Sequence, residues 1–346
     1  MSEEGRPTRL LLVYCGGTFG MRDAGNGLAA QADLHVELET LMRTSSAHLG
    51  QAIAWELVEP ERIIDSAEAG HGTALEIADI IRERVAAGET QGGGFRGVLV
   101  VHGTDTLAHS AAQTAFAVAD LAIPIVFTGA QHPLGTPAGD AEGNFGDALA
   151  EAMTSDTGGV RIVFGGAILP AVRAVKRSSE QCDAFVARRP LVAPAAGVSN
   201  ELASALSRAA RAPAPRIGML TMVPGLPAAL LATALEVFPD GLVLECYGAG
   251  TAPLVHSAAL SVLREARDRG TPVLAVTRCE HGEVDLTRYA VGAALAAVGV
   301  IGGADLTAEA AIAKLRALRR AGLSGECLER MFAANLIGEQ HGNAGI

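Results

Sequence analysis

The sequence predicts an α/β fold: a larger N-terminal domain on a mainly parallel, doubly wound sheet, a linker, and a smaller C-terminal α/β domain. Three observations carry this prediction. Short aliphatic or β-branched runs alternate with longer segments of helical period. The length, 346 residues, exceeds the ~250–300 at which single cores stop growing. A proline- and alanine-rich stretch without strand-like runs divides the chain.

In the first part the strand-like runs are Leu10–Tyr14, Ile53–Val58, Gly97–Val101, Ile123–Thr128 and Val160–Phe164, and the segments between them read as helices. In "TALEIADIIRERVAA" (Thr73–Ala87), Ile77, Ile80, Ile81 and Val85 share one stripe while Glu76, Asp79, Arg82 and Glu83 lie off it. "RRPLVAPAAGVSNELASALSRAARAPAP" reads as the linker, giving domains at 1–188 and 216–346 with 189–215 between them. The second domain has strand-like Arg216–Met222, Gly241–Cys246 and Pro272–Thr277, and helices near Pro227–Val237, Ala258–Asp268, Thr307–Arg320 and Gly325–Ala333.

Composition narrows the function. The chain is 49% hydrophobic and 19% charged, with mean hydropathy +0.29, which excludes a largely disordered chain. No apolar run reaches the ~18–20 residues of a membrane span, and "MSEEGRPTRLLLVY" lacks the build of a secretory signal, so a cytoplasmic protein with no membrane partner is expected. A net charge of −11 without a basic cluster excludes nucleic acid as a partner and favours a small-molecule substrate. The five cysteines (Cys15, Cys182, Cys246, Cys279, Cys327) are odd in number and never form C-x-x-C, so free thiols are expected rather than disulfides. The histidines show no ligand spacing, and no catalytic metal is expected.

Open α/β sheets place their sites beyond the C-terminal ends of the strands. Three polar stretches fall there: Gly16-Gly17-Thr18, Asp65-Ser66 and the "HGTDT" of residues 102–106. "GGTFGM" matches neither G-x-G-x-x-G nor the P-loop, so no nucleotide cofactor is expected. The glycines would instead let backbone approach a small ligand and offer N–H groups to an oxyanion. Thr18 is then either a nucleophile or a threonine bonding its own turn, and this motif alone does not separate the two. A nucleophilic threonine needs a base, and a lysine of lowered pKa is one source. Among 27 Lys+Arg residues only Lys176 and Lys314 are lysines. Lys176, in "RAVKRSS", marks a place where a removable proton could be required, which arginine cannot supply. The competing reading is a chance survivor of compositional drift. Lys314, in "AAIAKLRALRR", reads as a solvated helix face. Cys15 is a rival nucleophile beside the same glycines, but a small buried residue ending a strand is the commoner role.

With these stretches in view, the chain resembles the bacterial-type L-asparaginases, and most closely their cytoplasmic type I branch, over roughly residues 9 to 340. "YCGGTFGM" resembles the family's Tyr-Thr-Gly-Gly-Thr-Ile-Gly-Met element, and "VVHGTDTLAHSA" resembles its second signature. "PIVFTGAQHPL", "GDAEGNF", "RAVKRSSEQCDAF", "GLVLECYGAG" and "GVIGGADLTAEAAIAKL" follow in family order. The resemblance implies hydrolysis of L-asparagine to L-aspartate and ammonia without a cofactor, in a homodimer or dimer of dimers. It implies Thr18 as primary nucleophile, with Thr104, Asp105 and Lys176 as the second cluster. Gly17, Asp65, Ser66, Thr104 and Asp105 are the implied substrate-binding set; Thr251 and Glu283 would reach a neighbouring subunit's site, and Glu283 reads equally as an ordinary surface carboxylate.

The sequence also departs from the family. Where the family carries a lid tyrosine about ten residues after the nucleophile, "DAGNGLAAQ" places Leu28, and no tyrosine occurs between Tyr14 and Tyr247. Leucine can exclude water but can neither transfer a proton nor donate a hydrogen bond. Glu245 stands where the cytoplasmic type often has arginine, and Thr251 where the family often has asparagine. Two further readings therefore stand beside asparagine hydrolysis. One is a divergent amidase for glutamine, D-asparagine or an asparagine-containing product. The other is a catalytically weak amino-acid-binding protein.

Overall fold

The structure is a computed structural model that describes residues 7–341 apart from 26, 31–33, 62, 64, 71, 91–92, 190–213 and 255–257. Most of the expected linker thus lies outside the described residues. The chain forms two compact units, 1–187 and 188–346.

The first unit is built on a six-stranded sheet. In chain order its strands are β1 (Thr8–Tyr14), β4 (Ile53–Val58), β5 (Gly97–Val101), β6 (Pro124–Thr128), β7 (Gly159–Phe164) and β8 (Ala167–Pro170), and in space they run β4-β1-β5-β6-β7-β8. All neighbours are parallel except β7 and β8, so the sheet is mainly parallel, as its alternating pattern predicts. β5 and β6 are buried along their whole length, and this is why they read as continuous apolar runs rather than as alternations. β8 escapes the sequence reading because it is short and joined to β7 by a tight turn of two left-handed glycines, Gly165 and Gly166.

Helices cover both faces. α1 (His35–Leu49) and α4 (Ala141–Thr154) pack together, and their Leu38, Leu41, Met42, Phe145 and Leu149 share a core with Leu10, Leu12, Leu99, Val101 and Val126. α2 (Thr73–Thr90) and α3 (Leu107–Ala117) pack against each other as a second pair. Two small antiparallel ribbons complete the unit: β2 (Met21–Asp23) with β3 (Leu28–Ala30), and β9 (Ala174–Lys176) with β10 (Phe185–Ala187). Chain order reverses at β1, which lies between β4 and β5. Such a switch point opens a crevice at the C-terminal strand ends.

The second unit has a four-stranded, wholly parallel sheet of β11 (Ile217–Thr221), β12 (Gly241–Cys246), β13 (Val273–Thr277) and β14 (Val300–Gly302), in that order. Its helices are α5 (Ala228–Val237), α6 (Ala259–Asp268), α7 (Ala290–Ala297), α8 (Ala308–Arg320) and α9 (Gly325–Ala333). α7 and β14 were not marked by the sequence pattern, being short and alanine- or glycine-rich. One sequence expectation is overturned. Lys314 is not on a solvated face but fully buried, its ammonium 2.7 Å from the equally buried Glu339 carboxylate and 2.7 Å from the Phe332 carbonyl.

Candidate active site

The site begins with two glycines. β1 ends at Tyr14, and Cys15 still continues the ladder through its N–H to the Val101 carbonyl (2.8 Å). Gly16 and Gly17 then take φ of 97° and 89°, turning the chain so that Thr18 opens a one-turn 3-10 helix. A Cβ on Gly17 would lie 2.2 Å from the Gly103 Cα, and a Cβ on Gly103 would lie 2.5 Å from the Ser66 hydroxyl. The loops after β1 and β5 therefore meet in backbone contact, and the loop after β4 packs its Ser66 side chain onto Gly103, closeness that a side chain on either glycine would break. Thr18 follows Gly17 and Thr104 follows Gly103, so each begins next to this contact, while Ser66 reaches it through its side chain.

The polar contacts follow from that closeness. The Lys176 ammonium, at the end of β9, donates to the Thr104 hydroxyl at 2.8 Å and to the Asp105 carboxylate at 2.7 Å. The Thr104 hydroxyl in turn donates to the Gln131 side-chain carbonyl at 3.2 Å. Thr106 fixes the neighbouring loop by donating to the Ser66 carbonyl (2.9 Å). Asp65 is exposed and accepts the Ala67 N–H at 3.1 Å, which starts the turn that carries Ser66. Thr104 is buried, Thr18 and Lys176 are half-buried, and Asp105 faces outward.

Burial sets the chemistry of the groups behind this edge. His102 is enclosed and its Nδ1–H donates to the Gly103 carbonyl at 2.8 Å. Desolvation lowers its pKa, so the ring stays neutral. Burial pushes the Cys15 thiol far up, and Glu76 adds to the effect. An un-ionised thiol is a poor nucleophile, so the structure removes Cys15 as a rival to Thr18. Burial likewise pushes the Tyr14 phenol up to about 12. A cavity of about 200 Å³ lined by Cys15, Pro60, Ser66, Glu68, Thr73, Glu76 and His102 adjoins Ser66. A wider groove of about 760 Å³ between α1 and α4 contains none of the predicted site residues.

Gln131 is a member that sequence reasoning passed over. It follows β6 in "TGAQH", a polar residue at a C-terminal strand end like the other three stretches, and that position was the available signal. Its amide also donates to the Ser178 carbonyl (3.4 Å), linking β6 to the loop after Lys176. The two remaining predicted residues lie in the second unit. Thr251 is half-buried and accepts the Tyr247 N–H at 2.9 Å, while Glu283 is exposed. Their loops adjoin, because Asp285 donates its N–H to the Ala249 carbonyl at 3.1 Å. Leu28 begins β3, paired with Asp23, and is 51% exposed.

A mainly parallel α/β unit with hydroxyls, an ammonium and a carboxylate at its switch point, followed by a smaller parallel α/β unit, is the architecture of a two-unit amidohydrolase. Comparison with known proteins makes this specific. Residues 9–208 match the family model "Asparaginase, N-terminal", and residues 216–332 match "Glutaminase/Asparaginase C-terminal domain". The chain belongs to the asparaginase family. It is 30% identical to L-asparaginase 1 of Escherichia coli, over 95% of this chain and 97% of that one. It is also 30% identical to the 60 kDa lysophospholipase of Mus musculus, over 97% of this chain but only 63% of that longer protein. The crystal structure of L-asparaginase I from Vibrio cholerae superposes with a TM-score of 0.79 at 26% identity, covering 97% of this chain and all of that one.

Proposed function

We propose that the protein hydrolyses L-asparagine to L-aspartate and ammonia through a threonine nucleophile. The observation that carries this reading is the Lys176–Thr104–Asp105 cluster, anchored beside Thr18 by the Gly17–Gly103 backbone contact. The Thr18 hydroxyl attacks the side-chain amide carbon, and backbone N–H groups of the glycine turn stabilise the oxyanion. The C–N bond breaks and the nitrogen leaves as ammonia after taking up the threonine proton. Water activated at Thr104 and Lys176 then cleaves the acyl ester. Asp105 and Asp65 offer acceptors to the substrate's ammonium, and Ser66 offers a donor to its carboxylate.

Lys176 ties the Thr104–Asp105 loop to the end of β9. Its ammonium already donates to Thr104, so the hydroxyl has both a donor and an acceptor (Gln131) and can pass a proton either way. The match to L-asparaginase 1 supports asparagine as substrate, and a cytoplasmic setting and a homo-oligomeric assembly belong to the same proposal.

One observation favours a second reading. Leu28, exposed on the hairpin that follows Thr18, has no proton to give. A slow or relaxed amidase, acting on glutamine or D-asparagine, fits that replacement. Ammonia release from L-asparagine, L-glutamine and D-asparagine separates the readings. The proposal expects L-asparagine to be preferred and Thr18→Ala to lose on the order of 10²-fold or more of turnover. Near-normal turnover by Thr18→Ala removes the nucleophile assignment, and binding without ammonia from any of the three favours an amino-acid-binding protein.

A further inference from the structure

Outside the Thr104 cluster, the loop after β6 and the loop between β9 and β10 bring together three different ligand types. The His132 ring, the Asp140 carboxylate and the Cys182 thiol each offer one donor atom, all within 4.8 Å of one another. We infer that these three residues form a zinc site, with a water as fourth ligand.

The geometry argues for a tetrahedral first-row cation. Zinc bonds of ~2.0–2.1 Å to nitrogen and oxygen, meeting at the tetrahedral angle, place those donors ~3.3 Å apart. His132 Nδ1 lies 3.3 Å from Asp140 Oδ1, the length of that edge. A thiolate at ~2.3 Å from the ion would stand ~3.5 Å from the other two donors. Cys182 is exposed, on the loop between the paired strands β9 and β10, and its thiol would have to close from within 4.8 Å to that distance on binding the ion. Nitrogen, oxygen and sulfur together suit zinc better than magnesium or calcium, which take oxygen alone. One thiolate and one carboxylate would also balance its two charges.

The surroundings are those of a held ligand set. Asp140 is buried and accepts the N–H of Gln131 (2.9 Å), the N–H of His132 (2.9 Å) and the Asn144 amide (3.1 Å). A carboxylate has about four lone-pair sites, so one remains toward the histidine ring. Asn144 accepts the Gly165 N–H at 2.8 Å, and Gly165 packs so closely under residues 182 and 183 that a Cβ there would lie 2.6 Å from the Cys182 carbonyl. Asn144 thereby sets Asp140 and the Cys182 loop in one frame, the kind of outer contact that orients metal ligands. The same Asp140 holds the Gln131 N–H, so a bound ion and the Thr104 hydroxyl would share a loop.

The test uses the full chain, with Zn2+ and Co2+ as probes and a non-thiol reductant. Zinc affinity is read by competition with a chromogenic chelator. The site predicts one ion per chain, and at least a ~10-fold weaker affinity in both Cys182→Ser and His132→Phe. Cobalt should give a thiolate-to-metal charge-transfer band that Cys182→Ser abolishes and Cys279→Ser retains. Both variants leave Asp140 in place, and their circular dichroism and melting serve as the check on folding. Wild-type affinity in folded Cys182→Ser, or a cobalt adduct without the thiolate band, overturns the site.

Discussion

At the scale of single residues, the site depends on what two positions lack. Gly17 and Gly103 hold the loops after β1 and β5 in backbone contact, and Gly103 also admits the Ser66 hydroxyl. Gly103→Ala should therefore misplace Thr104 without unfolding the unit, costing ~10²-fold in turnover, since a shift of ~1 Å can cost that much. Turnover close to wild type, with ammonia release measured at saturating L-asparagine, would show that the contact is slack. His102 yields a pH prediction. Its folded pKa lies below the ordinary 6.5, so as pH falls below that value the unfolded chain takes up a proton that the native state refuses. Its contribution to stability is thus present above pH ~6.5 and lost on acidification toward its folded pKa. His102→Asn keeps an N–H for the Gly103 carbonyl but cannot titrate. The melting temperature of wild type should fall more steeply than that of the variant between pH 7.5 and 5, and parallel curves would refute the neutral buried ring.

At the scale of elements, two departures from the sequence pattern carry the argument. The hairpin of β2 and β3 places Leu28 opposite Asp23, exposed and without a hydroxyl. A proton-transferring side chain contributes ~10²–10⁴-fold where it is well placed. If the hairpin has only lost that group, Leu28→Tyr should raise turnover of L-asparagine by at least ~10-fold, and an unchanged or lower rate would mean that the site manages without it. In α8, Lys314 lies four residues after Ala310 and three before Ala317, both buried, so helical spacing already placed it on the apolar face. The expectation of a solvated lysine followed residue type instead of register. Its ammonium is held by Glu339, the Phe332 and Ala334 carbonyls and the Phe332 ring, while Glu339 accepts the N–H groups of Leu336 and Ile337. This knot ties residues 332–339 to the helix. Lys314→Met strands a buried carboxylate and should cost about 3–5 kcal/mol, read by calorimetry as a lowered melting transition. A surface lysine would cost under ~0.5 kcal/mol.

At the scale of the whole molecule, the parallel sheets were legible because their central strands β5, β6 and β13 are buried on both faces and appear as apolar runs between helical periods. Strand-end polarity likewise pointed to Thr18, Asp65, Ser66, Thr104 and Asp105 as candidate site residues. β8, α7 and β14 were not legible because they are short and turn-, alanine- or glycine-rich; the hydrogen bonds of Gln131 and the meeting of His132 with Cys182 were not, since they depend on loops that only the tertiary fold brings together. Assembly is a further level, and the proposed roles of Thr251 and Glu283 test it. If Glu283 completes the site of a neighbouring subunit, Thr18→Ala and Glu283→Ala will each be inactive alone. In a mixed dimer one site combines an intact Thr18 with an intact Glu283, and the other carries both defects. Random re-association makes half the dimers mixed, each with one working site, so mixing should restore about a quarter of wild-type turnover. Light scattering must show twice or four times the 35.4 kDa of one chain for the scheme to apply. A Glu283→Ala variant that is fully active alone would place this exposed carboxylate on an ordinary surface, and inactive variants that fail to complement would place Glu283 in its own subunit's site.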